Sequence, residues 1–217
     1  LGSMGYGIAR SLLHEGHDVY GFDVVTTQVD KLKAEGGLTG TPAQVGPELD
    51  CAVVVVLNAP QMEDVLFGED GVVTHMKAGA CVVACPTVEP AFAREMEARC
   101  ARFDVLYLDA PISGGALKSA QGQLTVMASG SPDSFAAARP SLDAMAETVF
   151  QLGNSAGAGS SMKAVNQLLA GVHIASMAEA LTFALAQGMD LNQVIEVISK
   201  CAGTSWMFEN RGPNVAS

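Results

Sequence analysis

Positive charge is scarce: 12 Lys and Arg stand against 23 Asp and Glu in 217 residues, a formal net charge of −11. A chain this acidic does not neutralise a phosphate backbone, which excludes nucleic acid as a partner. Long apolar runs are also lacking. No stretch of about 18 residues is free of polar interruption, so neither a membrane span nor a membrane partner is expected. There is no Cys-x-x-Cys. The five cysteines (51, 81, 85, 100 and 201) are scattered and odd in number. They read as buried free thiols of a reducing compartment, not as a disulfide framework or a zinc site. His14, His17, His75 and His173 have no ligand spacing, so no metal is expected. No secretory or transit sequence is visible, although a chain opening at Leu1 would not display one, and cytoplasm is the default expectation. What is abundant is apolar: 49% hydrophobic residues, with 23 glycines. That excludes general disorder and is enough for one or two cores.

Strand-like and helical segments alternate up to about residue 152. Ile8, Leu12 and Leu13 have helical spacing over 5–15, and 18–22 reads as a short strand. A polar helix follows over 27–35. Cys51–Leu57 is a continuous β-branched run, the pattern of a strand covered on both faces. Further strands are expected at 80–84, 105–108, 122–129 and 148–152, with helices at 61–66, 90–102 and 132–146. This alternation predicts βαβ units, an α/β Rossmann-type doubly wound, mostly parallel sheet. After Gly153 a Gly/Ser/Ala loop leads into a long Leu-, Ala- and Met-rich helix over about 161–187, stopped by Gly188. Helices at 191–200 and 205–211 follow. The predicted domains are therefore 1–152, nucleotide-binding, and 153–217, the start of an all-α domain.

Leu1-Gly2-Ser3-Met4-Gly5 opens directly onto a helix. With one glycine before Leu1 it would complete the dinucleotide fingerprint, Gly2 admitting the pyrophosphate and Gly5 close helix packing. The free N–H groups of the helix start favour phosphate. Asp23 ends the next strand 21 residues after Gly2, the spacing of a carboxylate that binds a ribose 2′-OH. No Arg or Lys in 24–27 stands ready for a 2′-phosphate. NAD is thus favoured over NADP.

Asp109-Ala110-Pro111-Ile112-Ser113-Gly114-Gly115 follows a strand, where open α/β sheets bind ligands. Its hydroxyl and bare backbone N–H groups suit a carboxylate. Further on, a flexible glycine loop enters a helix carrying Lys163, Asn166 and Gln167, which share one face. Partial burial would fit such a lysine for proton transfer at a carbonyl or alcohol, with the amides holding substrate oxygens. The flanking Met162, Val165, Leu168 and Leu169 predict a largely enclosed helix.

Together these strings resemble the β-hydroxyacid dehydrogenase (3-hydroxyisobutyrate dehydrogenase-like) family. The likeness covers the whole chain: the turn at 1–5, Asp23, Leu57-Asn58-Ala59-Pro60, Pro86-Thr87-Val88-Glu89-Pro90, DAPISGG with Gly122 and Gly130 downstream, and GAGSSMKAVNQ. Within it, KAVNQLLAGVHIA (163–175) and SWMFENR (205–211) most resemble the branch that oxidises L-threonate to a 2-oxo acid. The resemblance implies that Gly2, Ser3, Met4 and Gly5 hold the pyrophosphate, Asp23 the adenosine ribose, and Leu57, Asn58 and Thr87 the nicotinamide side. It implies that Ser113, Gly114 and Gly115 grip the substrate carboxylate, with Lys163 as general acid/base assisted by Gln167; Asn166 is expected to bind substrate. Family members form homodimers or homotetramers through the helical domain.

Three departures from the family pattern stand out. Gln167 replaces the second of two successive asparagines. Pro86-Thr87 replaces a common Ser-Thr. The chain is also read as a segment of something longer, lacking the first strand and glycine and the rest of the helical domain. The sequence leaves two alternatives open: a reductase of a small semialdehyde (or a 3-hydroxyisobutyrate dehydrogenase), and a non-catalytic nucleotide-binding remnant. An anionic sugar acid is not drawn to a −11 chain at long range, so local groups must capture it.

Overall fold

The computed structural model describes residues 1–216, which form two compact units, Leu1–Lys163 and the residues from Ala164 on. The first unit is an α/β layer structure. Helix α1 (Gly5–His14) buries Ile8 and Leu12 and ends ahead of Gly16, whose φ of +83° only glycine adopts freely. The strand expected at 18–22 is reduced to one parallel bridge, Tyr20 to Leu38, because among the described residues no second strand flanks it. Helix α2 (Thr26–Ala34) follows, then a one-turn helix α3 (Pro42–Val45) whose capping box of Thr41 and Gln44 was not foreseen.

Strands β1 (Cys51–Val54), β2 (Cys81–Ala84) and, after helices α4 (Ala59–Phe67) and α5 (Pro90–Cys100), β3 (Leu106–Asp109) form a parallel ladder. Successive side chains of β2 enter opposite cores. Val82 and Ala84 pack with Met62, Leu66, Ala93 and Met96 of α4 and α5. Cys81 and Val83 pack with Ile8, Leu12, Leu142 and Met145 on the other side. Helices on both faces make this a doubly wound sheet. β1 ends at Val54, three residues before the expected Leu57. The Leu57 N–H already donates to Gln61 Oε1 (2.9 Å), so the run after Val54 serves as the entry to α4.

Strand β4 (Ile112–Ser113) leads into α6 (Gly115–Ala120), β5 (Leu124–Ala128), α7 (Pro132–Met145) and β6 (Ala146–Gln151). β4 pairs antiparallel with β5, and β5 parallel with β6. The pairs Asp109–Ser129, Ile112–Val126 and Ser113–Thr125 lie in one unbroken antiparallel register. β3 and β4 are therefore one extended segment that changes partner, from β2 to β5, at Asp109.

Helix α8 (Ala158–Ala186) begins in the first unit, and Gly188 (φ +72°) follows its end. In the second unit α9 (Leu191–Ile198) is capped by Asp190, and α10 (Trp206–Ala216) runs past the expected end at 211 through Pro213. Pro213 removes the helical hydrogen bond that residue 213 would otherwise donate to the Glu209 carbonyl. Met177, Leu181 and Phe208 are buried together against Leu191, Val194, Ile195 and Ile198.

Helix α8 bears on the membrane span that the sequence does not lead one to expect. Its most apolar 18-residue window has a mean hydropathy of 1.6, so by length and composition the helix could cross a membrane. Its first turns are instead bound into the α/β unit by the hydrogen bonds described next.

Candidate functional site

The loops after β1, β2 and β3 lie at one edge of the parallel ladder; Leu57 and Asn58 fall on the first, Thr87 on the second, and Ser113, Gly114 and Gly115 follow β3. The glycine turn is beside the end of β1: a Cβ built on Gly5 would touch Val55 at 3.5 Å, an ordinary contact. No side chain caps α1, and Gly2 is exposed with nothing within 4 Å of a Cβ position. An open glycine before an uncapped helix start fits a pyrophosphate, and in this respect the residues present fit a dinucleotide. The strict packing glycine is Gly7, absent from the sequence reading. A Cβ there would lie 2.6 Å from Ser119 Oγ and 2.7 Å from the Ala120 nitrogen.

Asp23 turns towards this end of the chain. Its carboxylate accepts from the Leu1 nitrogen (2.7 Å) and the Val25 N–H (2.8 Å). Burial pushes its pKa up, and the hydrogen bond from the Val25 N–H pulls it down. Val24 beside it is fully exposed. Leu57 is 86% exposed at its loop, and Thr87 is exposed on the next. Asn58 has a structural duty as well: its Oδ1 accepts the Gln61 N–H (3.0 Å) and caps α4.

The segment from Asp109 to Gly115 is built around backbone. Gly114 and Gly115 adopt φ of +138° and +75°, and Ser113 is half-buried on β4. Lys163 is 8% exposed, and its Nζ donates to the Ile112 carbonyl at 2.8 Å. Burial pulls its pKa below the ordinary lysine value. Within the first unit no carboxylate pairs with it among the described residues.

The enclosure arises differently from the expectation. Met162, Val165, Leu168 and Leu169 are 45–67% exposed, so it is the 109–112 segment that buries the lysine rather than apolar neighbours on its own helix. On α8, Asn166 is half-buried, Gln167 is exposed, and the Asn166 amide donates to Gln167 Oε1 (3.1 Å).

The sequence reading missed what starts α8. Asp109, 1% exposed, accepts at Oδ2 from the N–H groups of Gly157 (2.9 Å) and Ser160 (2.8 Å) and from Ser129 Oγ (3.3 Å). Its Oδ1 accepts the Ser160 hydroxyl at 2.7 Å. Ser129 Oγ in turn accepts the Gly159 N–H at 2.9 Å. The glycines here serve close approach. A Cβ on Gly159 would fall on the Met127 carbonyl, and one on Gly157, at φ +107°, would lie 2.5 Å from Arg94 Nη1. The Gly-x-Gly spacing at 157–159 was the available signal. The Asp109 partnership, some 50 residues long in sequence, had none.

Among the described residues no group of three or more His, Cys, Asp or Glu could hold a metal ion. Cys81, Cys85 and Cys100 are buried and Cys51 half-buried, as free thiols, whereas Cys201 is exposed and departs from the expected burial.

Comparison with known proteins bears on this geometry. A family model described as the NAD binding domain of 6-phosphogluconate dehydrogenase matches residues 1–153. A second, described as NAD-binding of NADP-dependent 3-hydroxyisobutyrate dehydrogenase, matches 157–217. An L-threonate dehydrogenase of Cupriavidus necator is 44% identical over 216 residues, 99% of this chain and 73% of that protein. One from Escherichia coli K12 is 45% identical over 213 residues, 97% of this chain and 70% of that protein. A crystal structure of a 3-hydroxyisobutyrate dehydrogenase from Salmonella typhimurium has a TM-score of 0.94 at 44% identity, covering all of this chain and 76% of that one.

Proposed function

This chain belongs to the NAD-binding β-hydroxyacid dehydrogenase family, and we propose that within it the protein oxidises L-threonate to its 2-oxo acid with Lys163 as general acid/base. The observation that carries the reading is Lys163 itself: a buried amine without a carboxylate partner among the described residues, 2.8 Å from the Ile112 carbonyl and next in space to the turn at 113–115. Burying a cation without a counter-ion costs stability, so the position calls for a purpose. Relatives named L-threonate dehydrogenase at 44–45% identity support the choice of substrate.

In this reading Ser113 and the backbone N–H groups of Gly114 and Gly115 hold the substrate carboxylate. Lys163, its pKa lowered by burial, takes the hydroxyl proton as the carbinol carbon gives up its hydride. Asn166 and Gln167 hold the remaining substrate oxygens. Gly2, Ser3, Met4 and Gly5 hold the pyrophosphate through bare N–H groups, and Asp23 binds the ribose hydroxyls. Leu57, Asn58 and Thr87 line the nicotinamide side. Bound NAD supplies the hydride acceptor. The protein's contribution is positioning and charge. We retain 152/153 as the functional boundary between nucleotide and helical domains. The reading carries the cytoplasm as compartment and a homodimer or homotetramer as the assembled form.

The test is NADH formation, followed at its absorbance, with L-threonate and with a panel of semialdehydes run in reverse. L-threonate should give the highest kcat/KM, and Lys163→Ala should abolish it. A semialdehyde outrunning L-threonate would replace the substrate, and an active Lys163→Ala would remove the lysine from the mechanism.

A further inference from the structure

Lys163 has a long flexible stem and one hydrogen bond, so its place depends on where its backbone is held. That backbone is held by Asp109. Ser160 and Lys163 are three residues apart, one turn on the same face of α8, and a turn is too stiff to move at one end only. Asp109 and Ile112 are likewise three apart on the extended segment. The two strips meet twice, through the Asp109 carboxylate at Gly157 and Ser160 and through the Ile112 carbonyl at Lys163. The turn proposed to take the substrate carboxylate begins at the next residue, Ser113.

We propose that Asp109 is the positioning residue of this site, fixing the first turn of α8 so that Lys163 meets the substrate held at 113–115. The inference rests on the reading of Lys163 as the proton-transfer group. Asp109 does not touch substrate. It is 1% exposed, and both carboxylate oxygens are taken, Oδ1 by the Ser160 hydroxyl and Oδ2 by the N–H groups of Gly157 and Ser160 and by Ser129 Oγ. An anion is also the right charge for a helix start, where unpaired N–H groups carry partial positive charge. Asparagine could keep its oxygen towards the Gly157 and Ser160 N–H groups only by setting its NH2 against the Ser160 hydroxyl, and it lacks the negative charge. Glutamate would push the helix away by one methylene. Gly157 and Gly159 keep the approach close, since side chains there would meet Arg94 and the Met127 carbonyl.

The test compares Ser160→Ala, Ser160→Thr and Asp109→Asn with Lys163→Ala in the whole protein. Ser160→Ala deletes one bond to Asp109 and should lower kcat about tenfold, and Asp109→Asn on the order of 100-fold, the scale of a 1 Å misplacement. NAD affinity measured by calorimetry without substrate should stay within twofold. Ser160→Thr, which keeps the hydroxyl, should restore kcat. A second readout needs no turnover. The rate at which an acylating reagent labels Lys163 in the unliganded protein, located by mass spectrometry, should rise in Ser160→Ala as the amine leaves Ile112.

If Ser160→Ala and Asp109→Asn keep kcat within twofold while Lys163→Ala is inactive, the positioning role is wrong and the lysine reading stands. If kcat and NAD affinity fall together, the carboxylate serves only the fold and the role is again wrong. An active Lys163→Ala overturns the lysine reading itself. Should Asp109→Asn not fold, the Ser160 pair still decides.

Discussion

Ser119 Oγ donates to the carbonyl of Met4 at 2.6 Å, and the Ser119 carbonyl accepts the Ser11 hydroxyl at 3.1 Å. This buried serine ties α6, which starts at the proposed carboxylate turn, to the glycine turn and helix proposed for the pyrophosphate. The two halves of the proposed site are thus one packed body, and the substitutions below separate groups that pack from groups that bind.

Gly7 and Gly2 should part company when each becomes alanine. At Gly7 the new methyl meets the Ala120 backbone nitrogen at 2.7 Å, which has no flexible end to give way. Overpacking of that kind costs about 1–3 kcal/mol, read as an earlier urea midpoint. At Gly2 nothing lies within 4 Å, so Gly2→Ala should melt like the parent yet bind NAD more weakly by calorimetry. Unchanged NAD affinity in Gly2→Ala would move the pyrophosphate elsewhere.

Asp23→Ala should raise the KM for NAD by about 10- to 100-fold, the worth of a charge-assisted hydrogen bond of roughly 1.5–3 kcal/mol. NADP should lose less, since its 2′-phosphate is repelled by the same carboxylate, and the ratio of the two KM values should narrow. A ratio unchanged in Asp23→Ala would show that discrimination comes from other groups.

Much of this was legible in sequence because it depends on local pattern. β-branched runs at 51–57 and 80–84 gave parallel strands, buried throughout at 81–84 but only half-buried over 51–53. Proline and glycine marked the helix ends at Pro90, Pro132 and Gly188. What escaped depends on distant partners. The helix start at 157–160 looks in sequence like a flexible glycine loop, because the carboxylate that orders it is Asp109, on β3. The apolar residues at 162–169 suggested enclosure, yet a backbone carbonyl and a strand switching partners are what bury Lys163. Neither a register change at Asp109 nor a glycine that clears the Met127 carbonyl leaves a periodicity to read.

Thiol reactivity checks the packing independently. Burial pushes the thiols of Cys51 to about 11 and Cys100 to about 12, and raises Cys81 and Cys85 further. Thiolate is the reacting form, so these four should be silent towards an aromatic disulfide reagent at neutral pH. Cys201, exposed in the second unit, should react at once. One fast equivalent in native buffer and five in denaturant is the expected count. A second fast equivalent would place a strand cysteine outside the core.

The pH dependence of stability tests whether Lys163 is truly desolvated. Burial lowers its folded pKa below the unfolded value of 10.5. Below the folded pKa the lysine is protonated in both states, and the penalty of burying the charge is fully present. Between the two values the unfolded chain binds more protons than the native one, so stability rises with pH. Above 10.5 both forms are neutral and the slope ends. Lys163→Met has no such proton, and in urea melts at rising pH the parent should gain on it once the folded pKa is passed and up to about 10.5. Its absolute stability is less telling, because methionine removes the buried charge but also strands the Ile112 carbonyl without its donor. The difference between the two proteins cancels every other titrating group. A flat difference would mean that water reaches Lys163 in the native state, and the cost assigned to its position would disappear with it.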